Sequence, residues 1–365
     1  MEKKKGKAAV LEGPRKMSIQ EYDIPDICSE DGLLKVDMVG VCGGDPGTYN
    51  GTKLRAPRPY PIIMGHEIIG TVEKIGQGAA KRYGISEGDR AIVEFAIGCG
   101  RCYQCITGKY NLCEKYLSYG TMISCKDPPH FWGGYAEYLY LAPNAKVHRV
   151  NRSLPLEAGV LISAVLSNAL RWLRIGGVST GHTVVIEGPG QQGLAGVIAA
   201  KEAGASCIII TGRSHHQLRF ELAKEYGASY CIDIEKENPI EAVREITKGR
   251  MADIVMDTTG NPEGAIDALN LVKIGGVIIL PGLYGATTKV PLFLDKIVFN
   301  EIKVLGVFSH NISSVIPAIT LAESRKYAIE KMVTHRFSLD EAEKAVQTMG
   351  REVKVENLIK AVILP

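Results

Sequence analysis

The sequence predicts an α/β chain of two domains, one mostly β and the other a doubly wound parallel sheet. Three observations carry that reading. Residues 1–150 are rich in glycine, proline and short β-type runs; from Thr183 strand-like and helix-like segments alternate; and Gly188-Pro189-Gly190-Gln191-Gln192-Gly193 lies between such a strand and a helix. A chain of 365 residues is long enough for two cores.

Taken in order, Gly32–Val39, Gly70–Ile75 and Arg90–Phe95 read as strands, since turn signals separate them. From about Pro155 the texture changes, and Leu156–Ile175 reads as a long helical stretch. Thr183–Glu187 is a buried strand by composition, and the helix after the glycine turn carries Leu194, Val197 and Ile198 on one face. Cys207–Thr211, Tyr230–Ile232, Ile254–Met256 and Val277–Leu280 repeat the strand signal, with Leu218–Tyr226 and Pro239–Thr247 as helices between them. Such alternation implies a parallel sheet with helices on both faces. The last sixty residues return to short strands and helices and are expected to rejoin the first domain, giving 1–160 with 305–365 against 161–304.

Composition narrows the function classes. With 45% hydrophobic residues, 23% charged residues and a net charge of +3, nothing argues for a nucleic-acid partner. Lys3, Lys4, Lys5 and Lys7 read as a solvated, frayed terminus, and no apolar segment follows them as a secretory signal would require. The apolar runs Cys207–Thr211 and Val277–Leu280 are too short to cross a bilayer, so no membrane partner is expected. Nine cysteines in that setting suggest reduced thiols and metal ligands in a cytoplasmic protein.

The chemistry sits in three motifs. In Gly188-x-Gly190-x-x-Gly193 the first glycine permits a tight turn, the second lets a pyrophosphate approach, and the third allows close helix–strand packing. Gln191 and Gln192 then open a helix whose free N–H groups suit phosphate. The next strand ends in Thr211-Gly212-Arg213-Ser214 without the carboxylate typical of NAD sites, so Arg213 and Ser214 favour NADP, with use of both cofactors as the alternative.

Cys99, Cys102, Cys105 and Cys113 place four thiolates in one short loop, the donor set of a structural zinc. Ligand type alone leaves an iron–sulfur cluster as the alternative. Cys42, His66 and Glu67 supply a thiolate, an imidazole and a carboxylate, the three-ligand pattern of a catalytic zinc with an open position.

Read together, Cys42-Gly-Gly-Asp45, Gly65-His66-Glu67-x2-Gly70-x5-Gly76, the four-cysteine lobe, Gly133-Gly-Tyr-Ala-Glu137 and the glycine turn resemble the zinc-containing medium-chain alcohol dehydrogenases, closest to their polyol and threonine dehydrogenase branch. The resemblance spans essentially the whole chain. It implies a GroES-like catalytic domain and a Rossmann cofactor domain. It also implies catalytic zinc on Cys42 and His66, with Glu67 a ligand as in the polyol branch. Phe95 falls where a substrate-pocket side chain is expected, Phe131 and Trp132 are further pocket candidates with a core role as the equal alternative, and Asp257 with Thr258-Thr259-Gly260 should edge the cofactor. Three positions depart from the family pattern: Gly44 stands where a proton-relaying Ser or Thr is usual, Gly47 where a histidine is frequent, and Ala164 where a further ligand is usual. Tyr49, also placed in the pocket, and Asp45 are the candidate stand-ins for the relay; Asp45 otherwise caps local backbone.

The expected function is therefore hydride exchange between NAD(P)(H) and a secondary alcohol or ketone, with a polyol, amino alcohol or cyclic hydroxy compound suggested by the missing relay. Other readings are a family member with an altered or empty metal site performing reduction, elimination or hydration, and a catalytically idle nucleotide-binding protein. The resemblance implies a homodimer or homotetramer, and the apolar stretch Ile302–Phe308 is a candidate interface.

Overall fold

The protein is described from a computed structural model covering residues 4–52, 57–285 and 287–365. Two compact units emerge, Met1–Ala164 with Val315–Pro365, and Val165–Ser314.

In the first unit the strands are β1 (Lys5–Gly13), β2 (Lys16–Asp23), β3 (Gly32–Gly40), β4 (Ile62–Ile63), β5 (Glu67–Ile75), β6 (Arg90–Val93), β7 (Tyr138–Leu141) and β8 (Val147–Arg149). Helices α1 (Asp45–Tyr49), α2 (Gln77–Tyr83), α3 (Tyr103–Ile106) and α4 (Leu156–Val160) connect or cap them. In the second unit α5 (Ser167–Ile175) precedes β9 (Thr183–Glu187), α6 (Gln191–Glu202), β10 (Cys207–Gly212), α7 (Gln217–Tyr226), β11 (Tyr230–Asp233), α8 (Pro239–Ile246), β12 (Ala252–Asp257), α9 (Pro262–Leu271), β13 (Val272–Leu280), α10 (Leu294–Phe299) and β14 (Lys303–Gly306). Helix α11 (Ile312–Glu323) leads back to β15 (Val333–Ser338), α12 (Ala342–Met349) and β16 (Lys360–Leu364) of the first unit.

Strand order in the second unit is β11-β10-β9-β12-β13-β14, and every pairing is parallel. Alternate residues of β9 serve the two faces: Ile186 lies against the α6 side beside Gly196, while Val185 joins the core with Ala268 and Leu269 of α9. The order reverses between β9 and β12, the switch point at which such sheets bind ligands. The first unit holds the sheet β15-β16-β3-β5-β6-β8, with β7 also paired to β3, and the smaller sheet β2-β1-β4.

The structure corrects one expectation here. Lys5 and Lys7 are not frayed: they form the exposed side of β1, opposite Asp23 and Glu21 of β2, while Lys3 lies outside the described residues. The stretch Leu156–Ile175 is helical as expected, with a π-helical turn at Ile162–Leu166 between α4 and α5. The unit boundary falls inside it, because α4 packs on β3 and β5 whereas α5 packs on α6. This same stretch is long and apolar enough to cross a membrane, which the shorter runs are not; it is a core element, with 78% of its most apolar window buried.

Candidate metal centres and cofactor turn

Cys42 leaves the end of β3 and enters the loop before α1. Asp45 Oδ2 accepts the Cys42 N–H at 2.8 Å, closing a tight turn that fixes the thiol. The same oxygen accepts the Tyr135 hydroxyl at 2.8 Å, and Asp45 Oδ1 stands 3.6 Å from His66 Nδ1. Asp45 is fully buried, its Oδ2 capping backbone and its Oδ1 facing the His66 ring. Burial pushes the Asp45 carboxyl up, against the opposing pull of His66.

Register brings the third member in. Gly40 of β3 pairs with Glu67 of β5 on one side and with Val362 of β16 on the other. Lys360, two residues before Val362, reaches Glu67 Oε2 in an ion pair with both side chains wholly buried, and donates to the Val41 carbonyl at 3.1 Å. Glu67 Oε1 keeps no partner among the described residues. Ligand atoms of Cys42, His66 and Glu67 all lie within 4.8 Å of one another.

The donor set fits zinc. Thiolate, imidazole and carboxylate converge, and the buried Glu67 Oε1 has no hydrogen-bond partner among the described residues. Burial opposes a charged imidazole, yet Cys42 and Asp45 outweigh it and hold the metal-free His66 at about 9. A cluster that retains a proton so strongly is rich in negative charge and suited to a cation. Ala164, buried in the π-helical turn, offers only a methyl group, and among the described residues three candidate ligand atoms converge. Phe95 packs beside His66, with ring centroids 5.7 Å apart.

The lobe's cysteines also converge, all four sulfurs within 4.8 Å, with Cys99–Cys105 at 3.9 Å and Cys102–Cys113 at 4.0 Å. Tetrahedral Zn–S bonds of about 2.3 Å put sulfurs about 3.8 Å apart, whereas a cluster binding each thiolate to a different iron needs wider spacing. The backbone N–H groups of Arg101 and Cys102 draw the Cys99 thiol down to about 6. Beneath the lobe, buried Glu94 accepts the Tyr110 hydroxyl at 2.6 Å and contacts His148 Nε2 at 2.7 Å.

In the second unit the glycine turn has the geometry its spacing implies. Gly188 has φ +91°, and a Cβ on Gly193 would sit 1.9 Å from the Gly188 carbonyl oxygen, so neither position accepts a side chain. Gly190 faces open space and caps α6 without any side-chain hydrogen bond, so the helix N-terminus that begins at Gln191 opens toward the turn. Thr258 Oγ1 donates to the Glu187 and Gly188 carbonyls at 2.7 and 3.0 Å, which brings Thr259 beside the turn. Asp257 Oδ1 accepts from Thr259 N and Oγ1, and Asp257 Oδ2 from the Tyr284 hydroxyl.

Comparison with known proteins agrees with these parts. Residues 29–152 match the alcohol dehydrogenase GroES-like domain, and residues 193–324 the zinc-binding dehydrogenase domain. A Mycobacterium tuberculosis protein named "Probable alcohol dehydrogenase" is 34% identical over 353 residues, 95% of each chain. Sorbitol dehydrogenase of Bacillus subtilis is 32% identical, covering 98% of this chain and 97% of its own. The chain belongs to the zinc-containing medium-chain alcohol dehydrogenases. A zinc-binding dehydrogenase of Sinorhizobium meliloti solved with NADP superposes with a TM-score of 0.88 at 28% identity, over 100% of both chains.

For this alcohol dehydrogenase several expected site residues need correction. Tyr49 does not serve as the relay: its ring is 2% exposed, and its hydroxyl donates to Glu343 at 2.6 Å and accepts from Gln347 at 3.2 Å, tying α1 to α12. Phe131 is a core residue, fully buried against Tyr22 and Tyr138. Trp132 packs on Tyr119 and Tyr140. Ser214 is committed elsewhere, since its Oγ donates to Asp233 at 2.7 Å and its N–H to Glu235 at 3.0 Å. Carboxylates absent from the end of β10 thus arrive from the end of β11. The Arg213 side chain is exposed, and Gly212 packs against Pro189 and Phe220. Two site residues escaped the sequence reading, Tyr135 and Lys360. The one available signal for Lys360 was a lysine inside the apolar run Leu358–Leu364.

Proposed function

We propose that Cys42, His66 and Glu67 hold the catalytic zinc of an NAD(P)(H)-dependent alcohol dehydrogenase that interconverts a secondary alcohol and its ketone. The observation that carries the reading is the convergence of these three ligand atoms within 4.8 Å around a buried carboxylate oxygen without a partner. When bound, zinc supplies Lewis acidity toward the alcohol oxygen. The chain's own residues do the rest: Asp45 and Tyr135 set the angle of His66, Lys360 holds one Glu67 oxygen so that the other is free to ligate, and Phe95 presents an apolar wall. Gly44 brings no hydroxyl, and Tyr49 is engaged at α12, so a substrate hydroxyl or solvent carries the proton outward. A polyol, amino alcohol or cyclic hydroxy compound suits that arrangement.

Cys99, Cys102, Cys105 and Cys113 hold the structural zinc. The dinucleotide lies on Gly188–Gly193, Gln191 and Gln192, edged by Thr259, with its adenosine end at Gly212 and Arg213. Arg213 favours NADP; the nearby Asp233 and Glu235 weaken that preference, so both cofactors are used. The altered-metal and idle readings draw on Ala164 and Gly44 alone. None of the nine cysteines forms a disulfide, consistent with a cytoplasmic enzyme. The exposed apolar residues Phe293, Leu294, Val298 and Phe299 around α10, with Val304 on the edge strand β14, form the surface on which a second copy docks.

Zinc per chain, measured with alcohol oxidation, tests the reading. The expected result is two ions, with Cys42→Ala retaining one and losing activity by about 10³-fold or more. Full activity and unchanged zinc in Cys42→Ala would remove the catalytic assignment.

A further inference from the structure

Arg58 contacts Thr48 and Met122 and has no acidic partner among the described residues. Its Nη2 donates to Thr48 Oγ1 at 3.3 Å, and its Nη1 lies 3.4 Å from the Met122 sulfur. Nε is buried and has no partner among the described residues. A hydroxyl and a thioether are neutral, weak acceptors for a group with five donors and a full positive charge.

Its neighbours locate it. Thr48 Oγ1 also reaches the carbonyl of Gly44, two residues after Cys42, at 3.5 Å. Met122 ends the segment that runs beside Phe95: Tyr119 N donates to Phe95 O at 2.9 Å, Ile97 N to Leu117 O at 3.0 Å, and Met122 N to Ser118 O at 3.3 Å. The Phe95 ring in turn lies against His66. Arg58 therefore links two segments, the one that carries Gly44 and the one that carries Phe95. Tyr60 closes the group, its hydroxyl on the Thr48 carbonyl at 3.4 Å.

A half-buried guanidinium left on neutral acceptors is under-satisfied, and its planar fork matches the two oxygens of a carboxylate or phosphate. We propose that Arg58 binds an oxyanion at the far end of the substrate, so that among hydroxy compounds the enzyme prefers those that also carry a carboxylate or a phosphate. This rests on the Cys42–His66–Glu67 site being the place of alcohol oxidation, and it names the substrate class for that site.

The test uses three matched secondary alcohols, 1,3-butanediol, 3-hydroxybutyrate and 3-hydroxybutyl phosphate, assayed with the zinc-loaded full chain and both cofactors. One of the two anions should exceed the neutral diol in kcat/KM by about tenfold or more, chiefly through KM, and which one does so separates carboxylate from phosphate. Arg58→Met, with Arg58→Gln as a second neutral variant, should lower that value by about tenfold or more while leaving the diol within about threefold, and Arg58→Lys should retain part of the preference. A preference for the diol, or an equal loss on all three compounds, would overturn the proposal. If no alcohol is oxidised, the dehydrogenase reading itself fails. Calorimetric titration of the two anions into wild type and Arg58→Met then decides: weaker binding by the variant upholds the oxyanion site, and equal or absent binding rejects it.

Discussion

The two oxygens of Glu67 have different surroundings: Oε2 is gripped by Lys360, and Oε1 is left toward Cys42 and His66. A buried ion pair of this kind adds little net stability, because desolvation offsets the attraction, but it holds a carboxylate in place. Glu187 is the opposite case. Burial first, then Asp257 and Asp267, push its carboxyl well above the usual 4.5, and its Oε2 has no partner among the described residues. A carboxyl raised in the fold keeps its proton there, so its full contribution holds below the unfolded value and is lost as pH climbs toward the folded one. Glu187→Gln should therefore melt like wild type near pH 4. It should then gain on it as pH rises from about 5 to 8, reaching about 1–3 kcal/mol in urea or thermal unfolding. A gap indifferent to pH would mean that Glu187 is ionised and paired in the native state.

Among elements, the lobe between β6 and β7 depends most on its metal. Helix α3 has four residues, and the exposed side chains of Tyr103 and Ile106 add nothing to a core. Its fixed points are the four thiols and the Tyr110–Glu94–His148 contacts beneath. Structural zinc supplies folding free energy directly, so stripping it should open this element while the sheets remain. Trypsin after chelator treatment should cut at Arg101, Lys109 and Lys115, all exposed, and readdition of zinc should restore resistance. Resistance that persists without zinc would show that Tyr110 and Glu94 suffice. The β3–β5 and β3–β16 registers matter as much, since a slip of one residue would turn Glu67 or Lys360 to the other face.

At the scale of the molecule, the second unit ends in an edge strand, β14, preceded by a short helix with Phe299 83% and Val298 70% exposed. Apolar side chains this open, beside an unpaired edge, favour association. Light scattering on the intact protein should report a dimer or tetramer, and Phe299→Asp should shift it toward monomer by about tenfold or more in dissociation constant. A wild-type monomer at micromolar concentration would assign the patch another role.

Much of the fold was legible because it rests on local regularities. Alternating strand and helix signals from Thr183, the spacing of Gly188, Gly190 and Gly193, and the four close cysteines are all written within a few residues, and backbone sterics or metal geometry leave few ways to satisfy them. The pairings that complete the sites were not legible, because they join residues distant along the chain: Tyr135 with Asp45, Lys360 with Glu67, Tyr49 with Glu343, and Ser214 with Asp233. A hydroxyl or ammonium reads the same in sequence whatever it will face. Only sheet register and helix packing decide whether Tyr49 reaches a substrate or a carboxylate on α12, and whether Lys360 is a surface charge or the buried partner of Glu67.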